Sequence, residues 1–157
     1  LQRPCCTAFI SGSESYKDVH GTVSFFKACT GSLVVAEIFN LPSENGVFAM
    51  HIHNGMSCTG NLDDPFADAG SHLNFTDEKH PFHTGDLPAL FSNNGYAWNA
   101  VYTNRFQPIQ VKGYPVIIHS APDDYHTQPS GNSGNKIACG IIMLQRNRTD
   151  RKIYIHV

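Results

Sequence analysis

Six histidines and one aspartate carry the first chemical signal in this chain: His51, His53, His72, His80, His83, His119 and Asp86. Neutral imidazole is a ligand for both copper and zinc, whereas a carboxylate completes a zinc site and suits copper poorly. Residues two apart on a strand project from one face, so His51 and His53 of His51-Ile52-His53 can reach a single metal. His80, His83 and Asp86 fall three apart in a segment that also holds Pro81 and Gly85, where a loop can curl around a second ion. The pattern predicts two metals close together. Each fragment is weak alone, because nine histidines make one chance His-x-His pair unsurprising. A histidine closing Pro115-Val116-Ile117-Ile118-His119 is more often a satisfied strand-end residue than a ligand. The weight lies in order, spacing and flanking residues taken together.

The elements that must position these groups read as strands. Apolar stretches at residues 7–10, 21–26, 32–39, 47–53, 96–102, 114–119 and 136–144 are dominated by Val, Ile, Phe, Thr and Tyr. Gly, Asn, Ser and Pro cluster between them, at 11–15, 43–46, 92–95 and 128–134. No long segment keeps a helical apolar period, so the pattern predicts an all-β sandwich or barrel. Two segments interrupt the rhythm, residues 55–90 and 120–135, both polar and both beginning beside candidate ligands. Long connections in compact domains are commonly functional.

A chain of 157 residues, 41% hydrophobic and 15% charged, has the composition of a single globular domain. Its net charge of -2 leaves no basic excess to displace counterions, which argues against a nucleic-acid partner. No apolar run reaches transmembrane length. Leu1 in place of an initiator methionine implies a removed leader or a shortened chain. The five cysteines are an odd number. Cys5, Cys6 and Cys29 read as buried or idle thiols, with a bridge from Cys29 to Cys5 or Cys6 left open. Residues 146–152 hold four basic side chains and read as a solvated tail, while Ile153-Tyr154-Ile155-His156-Val157 has strand character suited to pairing with a sheet edge.

Five stretches then occur in one order: Phe48-Ala49-Met50-His51-Ile52-His53, Ala69-Gly70-Ser71-His72-Leu73-Asn74, His83-Thr84-Gly85-Asp86-Leu87, Val116-Ile117-Ile118-His119, and Gly131-Asn132-Ser133-Gly134-Asn135-Lys136-Ile137-Ala138-Cys139-Gly140. On these motifs the sequence resembles the copper/zinc superoxide dismutase family, and the short interval from His53 to Cys58 looks more like its bacterial branch. The resemblance implies a flattened Greek-key β-barrel or sandwich of about eight antiparallel strands with two long functional loops. It would be one domain over residues 1–157, with 146–157 a C-terminal extension. It also implies His51, His53 and His119 as copper ligands, His72 as a ligand shared by copper and zinc, and His80, His83 and Asp86 as the remaining zinc ligands. Cys58 and Cys139 would form a disulfide tying the long loop to the last strand. Asp123 would bridge a copper ligand and a zinc ligand, fixing histidine tautomers.

The implied activity is conversion of superoxide to oxygen and hydrogen peroxide, with His72 and Lys136 as the catalytic side chains. Lys136 stands where the family usually has an arginine, and replaces a rigid fork with a flexible point charge. The interval from His80 to His83 is shorter than is typical of the family, so the loop there must take a different path. The alternative is a non-enzymatic relative that stores metal or delivers copper. A zinc hydrolase is disfavoured, since no His-Glu-x-x-His motif occurs. An extracytoplasmic or secreted location is favoured by the implied disulfide, with the cytoplasm left open. The sequons Asn74-Phe75-Thr76 and Asn147-Arg148-Thr149 matter only in a eukaryotic secretory pathway. A homodimer is left open.

Overall fold

The computed structural model describes residues 3–42 and 45–145. The C-terminal extension, with its proposed strand, and the second sequon lie outside them. Within these residues eight strands form one sheet: β1 (Cys6–Gly12), β2 (His20–Lys27), β3 (Ser32–Phe39), β4 (Asn45–Ile52), β5 (Asp86–Asn93), β6 (Ala97–Thr103), β7 (Pro115–His119) and β8 (Lys136–Leu144). Their spatial order is β5-β4-β7-β8-β1-β2-β3-β6, with every pairing antiparallel. The two outermost strands, β5 and β6, follow one another in the chain through Asn94-Gly95. Both turn residues have positive φ, 51° and 74°, as a two-residue hairpin with native twist requires. Asn93 and Tyr96 exchange main-chain bonds at 2.9 and 3.0 Å, and the Asn99 amide donates to the Ala89 carbonyl at 3.3 Å. The barrel is thus nearly closed.

Seven of these strands match the predicted apolar stretches, with shifted ends. β5 does not: residues 86–90 were expected inside the first long loop. Pro88 interrupts the run, and proline belongs only where no ladder donor is needed. β5 is an edge strand that pairs with β4 alone, so Pro88 is accommodated. The first long loop therefore ends at Gly85, and Asp86 opens a strand.

Alternation divides β4, β7 and β8 between two faces. Met50, Ile52, Val116, Ile118 and Ala138 belong to the main core with Val23, Phe25, Val34 and Ile38. His51 pairs with Ile117, and Ile117 pairs with Cys139, so the intervening residues share the opposite, outer face. That face is not open to water. Ile117 and Cys139 pack against Phe66 and Ala69 of the first long loop, with Cys58 beside them. Burying a side chain such as Ile117 contributes about 1.5–3 kcal/mol relative to leaving it exposed. Cys58 and Cys139 are bonded, 5.7 Å apart at Cα and 81 positions apart in the chain. A small second core and a covalent tie therefore hold the loop over the outer face. Cys5, Cys6 and Cys29 are free thiols, so the bridge left open from the sequence does not form.

Candidate metal centre

The outer face carries three of the candidate ligands. His51 lies on β4, His119 ends β7, and His53 follows β4 directly. The His53 N–H donates to the Pro115 carbonyl at 2.9 Å, which keeps it in register with β7. His72 comes from the long loop and meets His53 in an isolated antiparallel bridge, and the next residue is fixed by Leu73 N–H to the Ile52 carbonyl at 2.8 Å. Gly85 accepts from Ile52 N–H at 2.9 Å and donates to the Leu73 carbonyl at 2.8 Å. A Cβ at Gly85 would collide with the Ile52 carbonyl, so only glycine permits this close approach. Asp86 then pairs opposite His51.

These elements bring all seven predicted ligands together in two overlapping groups. His51, His53, His72 and His119 form one; His72, His80, His83 and Asp86 form the other. Within each group the donor atoms lie within 4.8 Å of one another, and every member is buried. The free ring nitrogens identify the donors. His51 Nε2 donates to Asp123 Oδ2 at 2.8 Å, His53 Nδ1 to the Gly70 carbonyl at 2.8 Å, and His119 Nδ1 to the Gly134 carbonyl at 3.3 Å. Their other nitrogens face inward, His53 Nε2 and His119 Nε2 being 3.2 Å apart. His80 Nε2 donates to Asp123 Oδ1 at 2.8 Å, so the Asp123 carboxylate spans both groups.

Among the described residues, four buried side-chain nitrogens have no hydrogen-bond partner: His51 Nδ1, His72 Nε2, His80 Nδ1 and His83 Nδ1. Orphaned buried polar atoms are costly unless something satisfies them. His80 Nδ1 and His83 Nδ1 lie 3.0 and 3.2 Å from Asp86 Oδ2, yet they are not aligned to hydrogen bond with it. Tetrahedral coordination with bonds of about 2.0 Å puts neighbouring donor atoms ~3.3 Å apart. The crowding of these lone pairs matches donors converging on a cation between them. The first group, four imidazoles, suits copper; the second, three imidazoles and a carboxylate, suits zinc. His72 belongs to both, with Nδ1 2.7 Å from Asp86 Oδ1 and Nε2 buried without a hydrogen-bond partner.

Protonation favours metal binding. Burial pushes His51 and His53 below the usual imidazole range, and pushes His119 down to about 3. All three therefore present neutral lone pairs near neutral pH. Burial alone would raise Asp123, but hydrogen bonds from His51, the Tyr125 N–H and His80 outweigh it and hold the group at about 2. The same competition leaves Asp86 lowered, with His72 the main opposing partner to burial.

Three side chains that sequence reasoning did not single out help to build the site. Gln128 brackets the His80 main chain: its carbonyl accepts from His80 N–H at 3.1 Å and its amide donates to the His80 carbonyl at 2.7 Å. Arg105 donates through one guanidinium nitrogen to the carbonyls of His83 and Asp86, both at 2.9 Å. Together with Asp86 Oδ2, which accepts from His83 N–H at 3.0 Å, they fix the short path from His80 to His83. Asp64 bonds Lys136 across the mouth of the site. Gly131, at φ 69°, backs the Asp123–His80 link, and a Cβ there would strike the Asp123 carboxylate. A cleft of about 1000 Å³ leads in from solvent, and His53, His72, His119, Asp64 and Lys136 line part of it. No helix among the described residues is long and apolar enough to cross a membrane.

Comparison with known proteins agrees with this chemistry. The family described as copper/zinc superoxide dismutase matches residues 19–142. The Cu-Zn superoxide dismutase of Photobacterium leiognathi is 33% identical, over 78% of this chain and 78% of its own length. Cu-Zn superoxide dismutase 1 of Aquifex aeolicus is 30% identical, over 78% of this chain and 79% of its own. Among solved structures, the Cu/Zn superoxide dismutase of Brucella abortus superposes with a TM-score of 0.74 at 25% identity, covering 86% of this chain and 97% of that one. A double mutant of a SOD-like protein from Bacillus subtilis gives 0.74 at 26% identity, covering 87% and 96%. The family match runs from the residue before β2 into β8, so it takes in both long loops and every donor of the two groups. Shared over that whole length, the resemblance is one of descent: the chain belongs to the copper/zinc superoxide dismutase family.

Proposed function

We propose that this chain dismutes superoxide, with His51, His53, His72 and His119 holding copper and His72, His80, His83 and Asp86 holding zinc. The observation that carries this reading is His72, which belongs to both donor groups, with Nδ1 beside Asp86 and Nε2 buried without a partner. Bound copper would supply a one-electron couple and zinc a redox-inert charge. The protein's own part is to hold the donors, exclude bulk water and manage a proton. His72 Nε2, buried and free of any other hydrogen bond, is the atom proposed to hold that proton between the two half-reactions. Asp123 holds the His51 and His80 rings in one orientation throughout. Lys136, opposite His119 in the β7–β8 pairing and lining the cleft, is the proposed guide for the anion.

Pulse-radiolysis measurement on protein reconstituted with both metals tests this. Superoxide should disappear far faster than in buffer, and Lys136→Ala should slow it at low ionic strength with copper content unchanged. Protein that carries both metals yet leaves superoxide to its spontaneous decay would overturn the proposal, in favour of a storage or copper-delivery role.

A further inference from the structure

The cation proposed to guide superoxide is already bound. Lys136 Nζ lies 2.5 Å from Asp64 Oδ2, with the lysine side chain 16% exposed and the aspartate 39%. Among the described residues lining the cleft, Lys136 is the only lysine or arginine, facing the acids Asp63, Asp64 and Asp77. An ion pair looks like a dipole from a distance, so the lysine's attraction for a distant anion is largely cancelled.

Asp64 is a fixed part of this arrangement. Asn61 Oδ1 accepts from the N–H groups of Asp63 and Asp64 at 2.9 and 3.0 Å. The Asp64 carbonyl accepts from Asn61 and Ala67 at 2.9 and 3.1 Å. Its second carboxylate oxygen accepts from Phe66 N–H at 3.1 Å, and Phe66 packs into the small outer core beneath the loop. The same loop is bonded through Cys58 to Cys139, three residues beyond Lys136 on β8. Turn, core contact and disulfide together hold the carboxylate at the ammonium.

We infer that Asp64 is a positioning residue that latches Lys136 and competes with incoming anions for it, setting how strongly the site draws small anions. The inference rests on the dismutase reading above. The ammonium keeps further N–H donors, but an anion that reaches it meets the carboxylate's charge beside it, so the latch lowers anion affinity and blunts its dependence on salt.

Azide titration of the copper(II) absorption in metal-loaded protein tests this, because azide is a small anion that needs no turnover. Asp64→Asn keeps the acceptor for Phe66 N–H and removes the charge. It should tighten azide binding several-fold at low ionic strength, with the gain shrinking as salt rises. The gain should vanish in a Lys136→Gln background. A gain of equal size there would make Asp64 a plain negative charge and overturn the latch, as would no gain at all. A parent protein without an azide-responsive copper spectrum would instead sink the dismutase reading. The latch is read separately in metal-free protein: the Lys136 ammonium resonance should be protected from exchange, and Asp64→Asn should abolish the protection. An unprotected parent resonance would overturn it.

Discussion

The two donor groups differ in what places them. His51, His53 and His119 stand on or beside β4 and β7, whose pairing puts Met50 against Ile118 and Ile52 against Val116 in the main core. Their spacing follows from sheet register, which is fixed wherever one face is buried. His72, His80 and His83 come from a long loop, and only Asp86 opens a strand. Their places follow from bonds between distant segments: Gln128 and Asp123 to His80, Arg105 to His83 and Asp86. One half of the site is preorganised by the barrel, while the other depends on cross-loop contacts and on any cation its donors would surround. Local stability should divide along the same line.

The sharpest way to break this contrast is to cut the covalent tie. Cys58→Ala with Cys139→Ala opens a link spanning 81 positions and should cost about 4–5 kcal/mol on the chain-entropy model, read by urea unfolding of the metal-free protein. Amide exchange should quicken in residues 55–85 well before β4 and β7 are affected. Metal removal comes next. Ligand present at a thousandfold over its dissociation constant stabilises by about 4 kcal/mol, so chelation should lower the melting temperature by ~8–16 °C at ~2–4 °C per kcal/mol. Calorimetry of loaded and chelated protein checks this, and again exchange protection should be lost first in the long loop. Asp123→Ala removes the carboxylate shared by His51 and His80, and should weaken zinc binding by about 10–100-fold in a competition titration. Arg105→Met should have the smallest effect, about 1–2 kcal/mol of zinc affinity, because it deletes two bonds to carbonyls at a largely exposed side chain. If Arg105→Met instead disturbed only copper binding, the division between the halves would be wrong.

The strand-borne half was legible in the sequence because strand alternation is local. His51-Ile52-His53 and the apolar run before His119 announce their faces within a few residues. β5 was not legible, since Pro88 and an acidic first residue disguise a strand that is permitted only at a sheet edge. The seven candidate ligands and Asp123 were nameable from motif order, yet Gln128 and Arg105, which also hold the loop-borne half, were not. Gln128 reaches His80 across 48 positions, Arg105 reaches His83 across 22, and Lys136 reaches Asp64 across 72. No periodicity or spacing rule records a bond of that kind. The Cys58–Cys139 pairing came from family resemblance rather than from the residues alone, and five cysteines by themselves would have left it open.

Anomalous diffraction from crystals of the loaded protein, collected at the copper and zinc edges, tests the central claim that one imidazole joins two metal sites. Two peaks should appear, one on each side of His72. Copper should lie among His51, His53 and His119, and zinc among His80, His83 and Asp86. A single peak, or a pair in which His72 reaches only one metal, would contradict it.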